Sequence, residues 1–203
     1  MKKVLALLVT LGLALSLNAN ANAINIELTT DKNALTLSDT LAIDVRISGL
    51  NHGSSPSLGA YDLDFNYDPN LFAIHSIMWG DATQGNQLDL MNYGSLQDSS
   101  SGNGWLNLFE LSFDSAADLN LLQAGEFILF TVLLNAIADG SSILSLTANS
   151  LSDAYGEELF IAPINNLSVV VNSVSVPEPS SMLLLLGMIA FIALRNKLAQ
   201  SQK

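Results

Sequence analysis

From residue 24 onward, apolar side chains recur at every second position over short stretches, and the two ends of the chain have a different pattern. Ile24, Ile26 and Leu28 alternate with Asn25 and Glu27, the period of a strand with one face buried. Leu41, Ile43, Val45 and Ile47 alternate in the same way with Ala42, Asp44, Arg46 and Ser48. In residues 60–67, Tyr61, Leu63, Phe65 and Tyr67 share one face while Asp62, Asp64 and Asn66 share the other. Residues 71–77 predict a further strand. Another is expected over 105–113, with Trp105, Asn107, Phe109, Leu111 and Phe113 on one face and Trp105 directed to the core. Residues 127–136 are apolar on both faces, as in a strand buried from both sides. Strands over 142–151, 158–162 and 166–172 complete the series.

Turn residues separate these segments. Lys32-Asn33, Asp68-Pro69-Asn70, Asp139-Gly140 and Asp153-Ala154-Tyr155-Gly156 each stop a strand, and the 49–59 loop holds Gly49, Gly53, Pro56 and Gly59. Residues 81–104 read as mostly loop, with a short strand around Leu88, Leu90 and Met91 and an exposed loop tip at 98–102. Residues 116–123 predict one short helix. Eight or nine strands with almost no helix predict an all-β fold, a two-sheet antiparallel jelly-roll sandwich. No long amphipathic helices separate the strands, which argues against a parallel α/β sheet.

The ends carry different information. Lys2 and Lys3, an apolar stretch at 4–17 and a small polar stretch ending in Ala21-Asn22-Ala23 make a secretory signal peptide. Cleavage is expected after Ala23, with Ala21 closing a second frame. The Sec translocon and signal peptidase are then partners. At the other end stand Val176, Pro177, Glu178, Pro179, Ser180 and Ser181, thirteen residues without a polar side chain at 182–194, and a basic end with Arg195, Lys197 and Lys203. Proline holds the residue before it extended, so 176–179 is a stiff stub. The apolar run predicts a transmembrane helix with its basic end in the cytoplasm. Thirteen residues rise only about 20 Å at roughly 1.5 Å each. The flanking serines and snorkelling Arg195 and Lys197 are needed to complete a crossing. Three segments follow: signal peptide 1–23, sandwich 24–175, and tail 176–203, divided into a motif at 176–181, a helix at 182–194 and a basic end at 195–203.

Composition sharpens the picture at one point. The chain has 203 residues, no cysteine and a formal charge of −12. Residues 24–175 keep eighteen of the nineteen acidic residues and two basic ones, Lys32 and Arg46, a formal charge of −16. Such a surface repels nucleic acid and anionic membranes. Without cysteine there is no lipoprotein anchor and no disulfide, so the sandwich rests on burial and hydrogen bonds alone.

Candidate chemistry is sparse. His52 and His75 are too few and too isolated for zinc. Asp62 and Asp64 lie about 7 Å apart along one strand face, a spacing open to a glycoside hydrolase, but a solvated acidic sheet face is the simpler reading. Asp62, Asp64 and Asp68, with Asp153 and Glu157, are candidate calcium ligands. No other cofactor is expected. Trp79 and Tyr93, near loops, are candidate carbohydrate contacts.

Taken together, the 176–181 motif, the apolar run and Arg195 closely resemble the PEP-CTERM sorting signal. That resemblance implies processing by a membrane-embedded exosortase, transient anchoring in the inner membrane, and delivery to the cell surface or beyond. The stretch Gly59-Ala60-Tyr61-Asp62-Leu63-Asp64-Phe65-Asn66-Tyr67-Asp68-Pro69-Asn70-Leu71 resembles the strand and Tyr-Asp-Pro turn of cohesin-type modules. Gly80, the strand at 127–136, the turn at 153–156 and the Val-rich end at 167–171 follow in the matching order. Cohesins are relatives of carbohydrate-binding modules and bind dockerins through a sheet face. The resemblance implies a non-enzymatic module of the exopolysaccharide or biofilm layer that binds another surface protein. A carbohydrate-binding module is the alternative.

Overall fold

The computed structural model describes residues 24–173 and 187–189. Contacts divide the chain into two units, one ending at Asn172 and one beginning at Ser173. The expected signal peptide, the sorting motif and most of the expected apolar helix lie outside the described residues. Within that helix only 187–189 is described, and it is helical. Among the described residues no helix is long and apolar enough to cross a membrane.

The first unit is a β-sandwich. Its strands are β1 (Asn25–Thr29), β2 (Ala34–Thr36), β3 (Thr40–Ser48), β4 (Leu58–Asn66), β5 (Phe72–Trp79), β6 (Ser95–Gly102), β7 (Trp105–Ser112), β8 (Glu126–Ala136), β9 (Gly140–Asp153) and β10 (Leu167–Asn172), with α1 (Ala116–Leu122) before β8. One sheet runs β1-β3-β8-β5 and the other β2-β10-β9-β4-β7-β6.

The alternation reads directly into burial on β3 and β4. Leu41, Ile43, Val45 and Ile47 of one sheet face Tyr61, Leu63 and Phe65 of the other, and all seven are fully buried. Tyr61 meets Phe130 of β8 at 5.9 Å between ring centroids. At roughly 1.5–3 kcal/mol for each large apolar side chain, this layer is the main source of stability in a domain without disulfides. β8 lies between β3 and β5. A bulge shifts its register to β3 between Val45 and Arg46. Leu129 and Phe130 are consecutive, yet both are buried.

In its strands the structure corrects the sequence expectation at several points. The sheets are not wholly antiparallel, because β2 pairs with β10 in parallel; three residues are too few to show a period. Residues 98–102 are not a loop tip but the end of β6, which pairs with β7 throughout its length. Leu88, Leu90 and Met91 form turns rather than a strand, with Leu88 buried beneath. The segment 158–162 forms only isolated bridges, Ser152 with Glu158 and Ile24 with Ile161.

Polar groups inside the sandwich are paired. Glu110 is fully buried and accepts hydrogen bonds from Tyr61 Oη (3.0 Å), Asn86 Nδ2 (2.6 Å), Ser95 Oγ (2.6 Å) and Gln97 Nε2 (2.9 Å). Burial, then the charge and hydrogen bond of Glu110, push the Tyr61 hydroxyl well above its ordinary value. Gln123, at the end of α1, is also fully buried. It accepts from Leu58 N (2.6 Å) and donates to the Leu58 and Gln87 carbonyls (3.0 and 2.9 Å), which fastens α1 to β4. Ser115 caps α1, accepting from Asp118 N and donating to its carboxylate.

Candidate interaction face

The outer surface of the six-stranded sheet follows from how β4, β7 and β6 pair. Cross-strand partners share a sheet face. Phe65, Leu63 and Tyr61 are buried, and their β7 partners are Leu106, Leu108 and Glu110. Trp105, Asn107, Phe109 and Leu111 must therefore point outward. Trp105 is accordingly 39% exposed, the reverse of the core position expected for it. β7 is apolar on both faces, so its own period could not choose between them.

Four rows cross this face. Ala60, Leu111 and Leu96 form one; Asp62, Phe109 and Asp98 the next; Asp64, Asn107 and Ser100 the third; Asn66, Trp105 and Gly102 the last. Leu96 is 49% and Leu111 39% exposed, and Phe113 just beyond β7 is 55% exposed. The Trp105 indole lies against Gly102, where a Cβ would collide with it. The glycine is what allows the ring to lie this close to the end of β6.

Asp98 is one of three acidic side chains in these rows; the other two, Asp62 and Asp64, are on β4. Asn107 Nδ2 bridges them, donating to Asp62 Oδ1 at 2.6 Å and Asp64 Oδ1 at 2.8 Å, and Asn149 Nδ2 reaches Asp62 Oδ1 at 3.1 Å. These carboxylates line a sheet, not a cleft. β4, β6, β7 and β9 contain no lysine or arginine. Of the two basic residues of the domain, Lys32 lies between β1 and β2, and Arg46 lies on β3, where it faces Glu126 at 3.8 Å. The face is thus apolar, acidic and without cations.

The other candidate residues do not converge. Asp68 is bound into its own turn, with Oδ1 accepting from Asn70 N (2.9 Å) and Nδ2 (3.0 Å). Asp153 does the same for Tyr155 N (2.8 Å) and Glu157 N (2.9 Å). Among the described residues no three acidic or imidazole side chains are arranged to hold a metal ion. Trp79 is half-buried on β5, edge-on to Phe130 at 6.4 Å. Tyr93, 67% exposed, lies before β6 in the other sheet. The structure therefore does not bring Trp79 and Tyr93 together. His52 Nδ1 lies 3.0 Å from the Gln123 carbonyl and His75 is on β5, so the histidines are also apart.

One side chain that sequence reasoning passed over is Asp81. It is buried, and it accepts from Thr83 N and Oγ1 (both 2.7 Å), Gln84 N (3.1 Å) and Ile128 N (3.1 Å). Burial opposes its ionisation, but the Thr83, Ile128 and Gln84 donors outweigh this and lower its pKa to about 2. Asp81 thereby fixes the 81–85 turn onto β8. The Asp-x-Thr spacing of a side-chain-capped turn was the available signal.

Comparison with known proteins fits this geometry. Residues 175–197 match the PEP-CTERM protein-sorting motif. No curated protein matches the chain. Among solved structures the sandwich is similar to a non-cellulosomal cohesin from the hyperthermophilic archaeon Archaeoglobus fulgidus, at 18% identity and a TM-score of 0.54 over 79% of this chain and 96% of that one. It is similar to a type I cohesin–dockerin complex from Clostridium thermocellum, at 12% identity and a TM-score of 0.57 over 74% and 100% of the two chains. A type II cohesin domain from the cellulosome of Acetivibrio cellulolyticus matches at 14% identity and a TM-score of 0.57, over 72% and 95%. The chain carries a PEP-CTERM sorting motif and a cohesin-like sandwich.

Proposed function

We propose that the chain is a non-enzymatic interaction module of the cell surface or extracellular matrix. The signal peptide at 1–23 directs it through the Sec translocon. The apolar helix at 182–194 then holds it in the inner membrane until exosortase processes the tail. What stays outside is the sandwich, and its work is to bind another protein of the exopolysaccharide or biofilm layer.

The observation that carries this reading is the outer face of β4, β7 and β6. It leaves Trp105, Leu111 and Leu96 exposed and Phe109 half-buried, with Asp62, Asp64 and Asp98 set among them. Exposed apolar patches with polar rims are the usual form of a protein-binding surface. The complementary partner is a protein surface with apolar centre and basic rim. That structural relatives include a cohesin–dockerin complex supports binding of a protein without naming the partner.

A second reading, a carbohydrate-binding module, rests on exposed Tyr93, before β6, and on the Trp105 and Phe109 rings of β7. The two readings separate in one comparison of the purified full-length chain with Trp105→Ser and Phe109→Ser. A matrix protein cross-linked by the wild type and lost from both variants, at unchanged melting temperature, supports the protein reading. Quenching of tryptophan fluorescence by one polysaccharide of a broad glycan panel, with no protein captured, would replace it by the carbohydrate reading.

A further inference from the structure

Among the described residues, the edge strands of the two sheets differ in how they are covered. At its start β1 is met by the 161–162 segment, with Ala162 N donating to the Ile24 carbonyl at 2.9 Å. β2 has only three residues. In β5 a register shift lies between Ile74 and Ser76. β6 has none of these features. It is eight residues long, pairs with β7 without a shift, is exposed from Leu96 to its end, and contains no proline or lysine. Proteins ordinarily protect such an edge against strand addition.

The pairing shows which groups face outward. Gly102 and Trp105 flank the two-residue Asn103-Gly104 connection, so they form a hydrogen-bonded pair. Bonded pairs then recur at Ser100, Asp98 and Leu96. Ser95, Gln97, Ser99 and Ser101 turn their N–H and C=O groups to the open edge. One contact agrees independently: Ser99 N donates to Asp98 Oδ1 at 2.9 Å instead of to β7.

We infer that β6 is a strand-addition site for an extended segment of a partner protein carrying lysine or arginine at alternate positions. Charge selects this occupant. On the outward side β6 contributes Asp98 and β4 contributes Asp62 and Asp64, and β4, β6 and β7 contain no cation. A second copy would set Asp98 and a domain charge of −16 against themselves. The Asp98 carboxylate also covers the central edge donor. A partner cation draws that carboxylate away and frees Ser99 N–H for the incoming strand. Main-chain pairing supplies affinity and the alternate side chains supply selectivity. This mode uses the edge, and so goes beyond binding on the face.

The test is fluorescence anisotropy of three labelled octapeptides with the purified full-length chain: alternating Lys-Val, the same peptide N-methylated at every second residue, and alternating Glu-Val. The Lys-Val peptide binds, and N-methylation and the Glu-Val sequence each weaken binding at least tenfold. Ser99→Pro removes an edge donor without touching the β7 ladder, and it lowers Lys-Val affinity at least tenfold at unchanged melting temperature. If that variant fails to fold, Asp98→Lys serves instead, and the preference passes to Glu-Val. No binding of Lys-Val by the wild type, equal binding of the N-methylated peptide, unaltered binding by folded Ser99→Pro, or no exchange of preference in Asp98→Lys would overturn the inference.

Discussion

Two buried carboxylates show how single residues keep this sandwich in one register. Glu110 stands on a core face, where an unpaired charge would cost several kcal/mol, and four donors from three different segments surround it. Asp81 performs the same office for a turn, and its lowered pKa makes that contribution depend on pH. Its folded pKa of about 2 lies below the ordinary 3.8. The stabilisation is therefore complete above about pH 4 and is lost as pH falls towards 2. Asp81→Asn should be less stable than the wild type by about 1–2 kcal/mol at pH 7, since bonds to a charged acceptor are the stronger. Urea denaturation at pH 7, 4 and 2.5 should show that gap closing over the acid range. A gap undiminished at pH 2.5 would mean the carboxylate charge is not what holds the turn.

Among the elements, β4 and β7 contrast in how much they disclose. On β4 the acidic residues could only face outward, so Tyr61, Leu63 and Phe65 had to face inward. On β7 both faces are apolar, and the pairing with β4 decides between them. The decision has a measurable consequence. Leu108→Ala opens a cavity in the core and should cost about 2–5 kcal/mol. Leu111→Ala, three positions away on the outer face, should stay within about 0.5–1 kcal/mol. Denaturant midpoints for the pair check the orientation, and the reverse order of effects would mean that β7 is turned over. β6 was illegible for the opposite reason. Its serines and Asp98 have no apolar period, and it is a strand because the Asn103-Gly104 turn lays it along β7.

Taken as one chain, the molecule has a sorting motif at its end and a proposed binding face in its middle, and the two are tested separately. Replacing Pro177-Glu178-Pro179 with alanines should stop maturation of the tail, seen as retention of a larger, membrane-associated form on immunoblots of fractionated cells. Processing at the wild-type rate would reduce the tail to a plain anchor. The sandwich, in contrast, keeps its charge of −16 wherever it is delivered, so its binding should weaken with salt in proportion to the basic character of the partner.

The amino-acid sequence by itself determined the strand-rich class, the position of β1, β3, β4, β8 and β10, the inward face of β4, and the sorting motif. Each of these is written in local periodicity, turn chemistry or a contiguous motif. Only the tertiary structure decided which face of β7 is exposed, that 95–102 is a strand, that β2 pairs in parallel, and that Asp62 and Asp64 share Asn107. Those facts depend on residues brought together from distant parts of the chain. No local pattern records such pairing. The candidate interaction face is therefore a product of the fold, built from residues whose sequence period alone had placed Trp105 in the core.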